Sequence, residues 1–353
     1  MQTLQHVNLS EHTFFETGGP AATFINIEDS AEILEVLQSC NRPIWFLGSG
    51  ANVLVSDKGL QGTTIHLATS DIVFEGQQVI ADAGVIWDDL VVASIEHSYW
   101  GLERTSGVPG SVGAAVVGNI AAYGQAASET IAWVEVIDVT LPNPKVTRLQ
   151  PADLDFSYRM SNFQQDDYKK YLITRVAFQL QTEAKPLEYA SALRVAEELK
   201  LDHDDLHKRR EVVLETRRRI GALADEAQKE RTAGSFFRNP LVSAEQAERI
   251  MGFEEHSISA DEIKRQNKLH GGSAARISAA HVLLAAGFKR GQSWGPVRLH
   301  PDHILKLENT GGASSQNIYN VAQEIITTVK ETLDIDLQPE VRFLGLFDQA
   351  PTS

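Results

Sequence analysis

Two glycine-bearing loops, an arginine and a serine carry the chemistry this sequence could perform. Residues 101–124, GLERTSGVPGSVGAAVVGNIAAYG, hold six glycines and no charge after Arg104. Glycine lets main chain approach closely and adopt positive φ, so this density of Gly and Ala points to backbone packed on something large and flat. A tightly wound buried loop between crossing elements would use the same residues, and spacing alone leaves both readings open. Gly48, Ser49, Gly50, Ala51 and Asn52 follow a strand-like Ile44-Trp45-Phe46-Leu47 and invite a dinucleotide reading. The third glycine of G-x-G-x-x-G is replaced by Val53, and Val53-Leu54-Val55 is strand-like, whereas a Rossmann site needs a helix N-terminus facing the pyrophosphate. Arg159, within Asp155-Phe156-Ser157-Tyr158-Arg159-Met160-Ser161, offers a fork of donors for a carboxylate or an enolate-like oxygen, or for an ordinary surface ion pair from a strand. Ser235, in Gly234-Ser235-Phe236-Phe237-Arg238-Asn239-Pro240, is a weak acid on its own. It donates a proton well only where the resulting oxygen is supported or another acid follows.

Two further patterns fail on context. Gly291-Gln292-Ser293-Trp294-Gly295 matches G-x-S-x-G, but a nucleophile elbow sits between a strand and a helix, and here a helical stretch precedes and the strand-like Val297-Arg298-Leu299 follows. In His300-Pro301-Asp302-His303 the proline breaks the helix that would align two histidines, and no cysteine or third ligand stands near, so no metal is expected. The net charge of −15 argues against nonspecific binding to nucleic acid or to an anionic membrane. A small anionic ligand would then need local cations, which draws attention to Arg217, Arg218 and Arg219.

In order and composition these pieces resemble the UDP-N-acetylenolpyruvoylglucosamine reductase family, the MurB flavoenzymes of bacterial cell-wall synthesis. The matching elements are GLE, SGVPGSVGA and N-I-x-A-Y-G in residues 101–124, L-G-x-G-x-N-x-L from Leu47, Y-R-x-S from Tyr158, G-S-F-F-[KR]-N-P from Gly234, and L-x-P-E-V-x-x-x-G from Leu337. The resemblance implies an α+β fold, with a two-part FAD-binding module of the vanillyl-alcohol-oxidase/PCMH type followed by an α+β substrate-binding domain. It implies FAD contacts at Gly48, Ser49, Gly50, Ala51 and Asn52, where loop amides would hold the pyrophosphate, and at Ser106, Gly107, Gly110, Ser111, Gly113, Asn119, Ala122, Tyr123 and Gly124. Ser235 would be the general acid, with Arg159 and Glu340 stabilising charge on the substrate carboxylate. Tyr158, Tyr189, Arg217, Asn239, Arg276 and Arg342 would meet the substrate, Tyr189 on a loop that covers the nucleotide in one subtype. NADPH would reduce the flavin, which would then reduce the enolpyruvyl ether of a UDP-sugar in peptidoglycan precursor synthesis. The sequence departs from the pattern in three places. The Gly18-Gly19 pair falls one residue later than in T-F-x-x-G-G, Ile220 stands where a lysine is usual, and Arg276 replaces another lysine. The changes at Ile220 and Arg276 keep open an FAD-dependent oxidoreductase of the same fold with a different substrate; a flavin-free binding protein is the third alternative.

The elements that must position these residues can be read from periodicity. Ser30 is expected to cap a helix over 31–40, and 87–96 reads as an amphipathic helix leading into the glycine stretch. Strands are expected at 44–47, 53–55, 64–67, 79–81, 133–139 and 171–180. A charged helical run spans 191–220, a capping box starts at Ser243, and 268–276 reads as a basic glycine-bearing loop before a short helix over 278–286 closed by Gly287. Ile318, Val321, Ile325, Val329 and Leu333 make 317–333 the strongest helix, expected on the sheet of the substrate domain. Glu340 and Arg342 are expected on one face of a final strand.

At 353 residues the chain exceeds one ordinary core. The expected parts are 1–68 rejoined by 339–353, 69–218, and 230–338, with the site where they meet. No run approaches the ~20 apolar residues of a membrane span, the opening lacks a signal-peptide pattern, and the single Cys40 suits a reducing compartment. A cytoplasmic location is therefore expected. Nothing in the sequence names a protein partner.

Overall fold

The computed structural model describes residues 1–223, 230–251 and 275–349. The chain divides into two compact units: the first contains Met1–Val7, Ala21–Ser49 and Gln61–Leu223, and the second contains Asn8–Pro20, Gly50–Leu60 and the described residues from 230 onward. Among the described residues no helix is long and apolar enough to cross a membrane.

The first unit holds two sheets. One has the order Gln2–Asn8, Pro20–Ile27, Leu60–Leu67, Ile44–Leu47, with the last pair parallel. The other is antiparallel, in the order Val146–Leu149, Ile131–Asp138, Tyr171–Gln179, Gln78–Asp82, Ile72–Glu75. Its central strand reads as a nearly continuous apolar run, because helical and loop segments cover it: Val176 and Phe178 are fully buried with Trp87, Val134 and Leu90. Each such side chain contributes roughly 1.5–3 kcal/mol on burial. The helix Trp87–Glu96 is seated by Trp87, whose ring meets Phe178 edge-on at 5.8 Å and whose Nε1 donates to Thr105 Oγ1 at 3.0 Å. Two local expectations need correction. Asp29, not Ser30, accepts the first amide, and it caps a short 3-10 turn, Ser30–Glu32, before the helix Ile33–Ser39. The charged run is two helices, Ala190–Leu199 and Leu206–Arg219, separated where Lys200 takes a left-handed conformation. Lys200 thereby closes the first helix as a glycine commonly does.

In the second unit the helix Ser315–Leu333 buries Ile318, Val321, Ile325, Val329 and Leu333, which share one face at helical spacing. Its N-terminus is capped by Ser314 and Asn317 reciprocally, and Asp57 accepts the amides of Ser315 and Gln316 at 2.9 and 2.8 Å. It packs on the antiparallel strands Ser293–Trp294, Val297–Leu299 and Leu307–Asn309. The G-x-S-x-G pattern thus lies in a hairpin turning at Gly295, with no elbow. Ser243 and Gln246 form the capping box of Ala244–Met251, and Ser278 caps Ala279–Ala285. Of the basic loop, residues 268–274 lie outside the described residues. The final strand, Arg342–Leu344, pairs in parallel with Val53–Val55. Glu340 therefore precedes the strand, where the sequence suggested both residues on one strand face.

Candidate functional site

In the first unit the glycine stretch lies across the antiparallel sheet. Val112 and Gly113 donate their amides to Val85 and Ala83, and a Cβ at Gly113 would stand 3.0 Å from the Ala83 Cβ, so only glycine allows this approach without displacement. Ser111 caps the short helix Val112–Gly118, and its Oγ would stand 2.8 Å from a Cβ at Gly48, bringing the two sequence-flagged loops together. Ser106 is fully buried, its hydroxyl donating to Glu103 O, while Gly107 and Gly110 turn the chain with positive φ. Ala122 lies in a two-stranded hairpin whose tip is Tyr123-Gly124, both at positive φ as a type I′ turn requires.

Asn119 stands in the left-handed conformation at the helix end; its Nδ2 donates to Ser157 O at 2.9 Å and its Oδ1 accepts from Ser128 N. It thus ties the glycine stretch to the turn that carries Tyr158 and Arg159. That turn closes by reciprocal backbone bonds between Ser157 and Met160, and Ser161 and Gln164 fasten it to Val117 O. Arg159 sits at the tip with φ +54°, not on a strand. A non-glycine residue held there costs of order 1–3 kcal/mol and persists only where surroundings impose it, a pattern concentrated at functional sites.

Tyr123, Tyr189, Arg217 and Arg159 form an electrostatic cluster. The Tyr123 and Tyr189 rings meet edge-on at 5.2 Å. Burial raises the Tyr123 phenol to about 12 against the opposing pull of Arg217, and its hydroxyl has no hydrogen-bond partner among the described residues. Burial also lowers the Arg217 guanidinium, and the nearby positive charge of Arg159 adds to that. Arg217 Nη2 donates to Ala222 O. Two cations with a buried phenol suit a polyanionic ligand. Ile220, where a lysine would be usual, is exposed.

Two supporting groups join residues whose pairing the sequence does not signal. Asp88 accepts the Gly107 amide at 2.7 Å and both terminal nitrogens of Arg210 at 2.7 Å. Burial pushes its carboxyl up, but the hydrogen bonds from Arg210 and Gly107 outweigh this and leave it below the usual aspartate range. Its contribution to stability is therefore whole above the unfolded value near 4 and is lost as pH falls through the lower folded value. Thermal melts from pH 7 to pH 3 should show a steeper acid loss for the native protein than for Asp88→Asn, and matching slopes would remove Asp88 from that role. The second group is Glu103, Arg104 and Arg209, almost wholly buried. Glu103 meets Arg209 at 3.4 Å, and the two arginines donate to the carbonyls of Lys185 and Pro186, anchoring the segment that leads to Tyr189.

In the second unit the segment holding Ser235 threads between two others. Ser235 bridges Lys306, and Phe236 donates its amide to Leu305 O; on the opposite side Glu340 N donates to Phe236 O at 2.7 Å and Arg238 N to Gln338 O at 2.9 Å. Phe236 and Phe237 are buried in the core. Glu340 is therefore bonded to Phe236, the residue after Ser235, although 104 positions separate the two by number. Burial lowers the Arg342 guanidinium and the charge of Arg238 contributes, so two cations share this neighbourhood. Asn239 accepts the Ala279 amide on its Oδ1 and an Arg276 Nη1 on its carbonyl, at 2.9 and 2.8 Å. Both substrate-binding candidates are thus joined to each other. Lys306 is buried against Glu230, with His300 Nε2 at 3.3 Å from the same carboxylate, another grouping without a sequence signal.

The loop Gly48-Ser49-Gly50-Ala51-Asn52 supplies the test for a bound pyrophosphate. No main-chain amide from Ser49 to Asn52 donates to another backbone group among the described residues, and Gly50 has φ +71°. Successive amides around a left-handed residue form an anion-binding nest, so these residues fit the diphosphate of FAD. A Cβ at Gly50 would lie 1.9 Å from His12 O. Gly50→Ala should cost roughly 2–4 kcal/mol through left-handed strain and overlap. A urea midpoint equal to that of the native protein would contradict this.

Comparison with known proteins adds independent support. Residues 225–344 match the model for the UDP-N-acetylenolpyruvoylglucosamine reductase C-terminal domain, and residues 21–149 match an FAD binding domain. The UDP-N-acetylenolpyruvoylglucosamine reductase of Thermobifida fusca is 32% identical, over 97% of this chain and 98% of its own. That of Cutibacterium acnes is 34% identical, over 97% and 90%. The crystal structure of the Thermus caldophilus reductase aligns with a TM-score of 0.63 at 21% identity, covering 98% of each chain, and so shares the fold. With an FAD-binding domain, full-length relatives above 30% identity and this α+β fold, the chain belongs to the UDP-N-acetylenolpyruvoylglucosamine reductase (MurB) family and is an FAD-containing oxidoreductase.

Proposed function

We propose that this enzyme uses NADPH to reduce UDP-N-acetyl-3-O-(1-carboxyvinyl)glucosamine to UDP-N-acetylmuramate, in the cytoplasm, as a step of peptidoglycan precursor synthesis. The observation that supports the reading is the bond from Glu340 N to Phe236 O, which sets the segment that follows Ser235 beside the segment of Glu340, far away in sequence. FAD, when bound, would supply the hydride chemistry between NADPH and the methylene carbon of the vinyl ether.

The loop from Gly48 to Asn52 and the glycines and serines of 106–113, with Asn119, Ala122, Tyr123 and Gly124, make up the cofactor site in this reading. Ser235 donates the proton to the carbon bearing the carboxylate. Arg159 stabilises the negative charge that accumulates on that carboxylate before protonation, and Glu340 does so as a hydrogen-bond donor in its acid form. Tyr158, Tyr189, Arg217, Asn239, Arg276 and Arg342 hold the UDP-sugar, with Arg217 the cation for its diphosphate. The bond from Arg276 Nη1 to the Asn239 carbonyl supports a shared location for the two, since it positions the guanidinium beside Asn239.

The test is a stopped-flow record of the flavin absorbance, without oxygen, on adding NADPH and then the enolpyruvyl UDP-sugar. Bleaching followed by recovery is the expected outcome. Bleaching without recovery would retain an FAD-dependent oxidoreductase and remove this substrate. Failure of NADPH to bleach a flavin that dithionite reduces would remove NADPH as donor.

A further inference from the structure

We infer that Asn52 is a positioning residue for Glu340, so that the flavin-side loop and the carboxylate segment are set as one piece. The inference rests on the role proposed for Glu340. Asn52 Nδ2 donates to Glu340 O at 3.2 Å, and Asn52 O accepts the Arg342 amide at 3.1 Å. The acceptor is a carbonyl, so the amino end of the side-chain amide must face it. From the other side, the Glu340 amide donates to Phe236 O at 2.7 Å.

Both polar groups of the Glu340 backbone are therefore bonded, one to the Ser235 segment and one to Asn52. Fixing the peptides on either side of a residue fixes its Cα–Cβ direction and leaves only side-chain torsions. Asn52 also opens the strand pairing, since Val53 is in register with Arg342. A loop bent by anion binding would displace Asn52, and with it the carbonyl of Glu340. The geometry thus gives Asn52 a function apart from contact with the cofactor: it couples occupancy of the loop to the direction of the carboxylate.

The experiment compares Asn52→Ala, Glu340→Gln and the double variant. FAD affinity is read from quenching of flavin fluorescence by apoprotein, and the two half-reactions are followed separately. Because Asn52 also belongs to the proposed FAD loop, Asn52→Ala is measured with FAD saturating, and its reduction by NADPH is the internal reference for the second half-reaction. Its reoxidation by the enolpyruvyl UDP-sugar should slow about tenfold, the equivalent of one ordinary hydrogen bond. The double variant should be no slower than Glu340→Gln alone. Several results would overturn the inference: FAD affinity lost while the loaded protein reoxidises normally, slowing that multiplies with Glu340→Gln, or no change at all. A native reoxidation rate in Glu340→Gln would instead remove the proposed role of Glu340, and the inference with it.

Discussion

Ser235→Ala should yield a yellow protein that NADPH bleaches at the native rate and that the enolpyruvyl UDP-sugar reoxidises at least roughly 10²–10⁴-fold more slowly. Folding should survive, because the Ser235 segment is held through main-chain bonds, Phe236 N to Leu305 O and Glu340 N to Phe236 O, and through the buried rings of Phe236 and Phe237. The substitution removes one oxygen from a half-buried position and leaves those bonds in place. Hydride delivery needs no proton from Ser235 during reduction of the flavin, so the loss should fall on one half-reaction alone. An equal loss in both would show that the hydroxyl serves binding or structure, and would remove it as the acid.

Arg209→Ala should destabilise the protein by about 3–5 kcal/mol, because it breaks a buried ion-pair network by removing one member. The guanidinium is fully buried 4.5 Å above the Trp100 ring, and it donates to His203 O, Lys185 O and Asp204 as well as facing Glu103. Alanine would leave Glu103 without this partner and His203 O without its donor, and would open a cavity against Trp100. With a urea slope of about 1–3 kcal/mol/M, the midpoint should fall by on the order of 1–5 M. A shift below ~0.5 M would mean that water or a neighbouring side chain replaces the guanidinium, and would reduce the network to a minor term. Tyr189 should lose its orientation along with stability, since Arg209 and Arg104 hold the carbonyls at the base of its segment.

What was legible in the sequence followed local rules. The stripe from Ile318 to Leu333 announced its helix because each member lies three or four residues from the next. The strand at 44–47 ended at Gly48 as its residues suggested. Local rules failed where two choices were chemically equal: Asp29 and Ser30 are both good caps, and only the backbone turn selects Asp29. They failed again at Lys200, which closes a helix in a conformation for which glycine is the usual signal. Arg159 was visible as a cation in a motif, but its positive φ depends on Asn119, Ser161 and Gln164 and has no signature in neighbouring residues. The bond between Glu340 and Phe236, and the pairs Asp88–Arg210 and Glu103–Arg209, join positions about a hundred residues apart, and a single sequence contains no term for such partners.

The second unit is assembled from early and late parts of the chain, and this governs how the protein must be made. Ser56 Oγ donates to Leu346 O, 290 residues later, and Val53–Val55 finds its strand partner only in Arg342–Leu344. At a synthesis rate of 5–20 residues per second, the strand Val53–Val55 leaves the ribosome roughly 15–60 s before Arg342–Leu344 exists. The first unit can close on its own residues within that interval, while the strand edge and apolar rings of the second stay without their native cover. Translation pausing beyond residue 60 should therefore raise aggregation of the nascent chain, and a chaperone that shields extended apolar segments should engage it earlier than its finished surface would suggest.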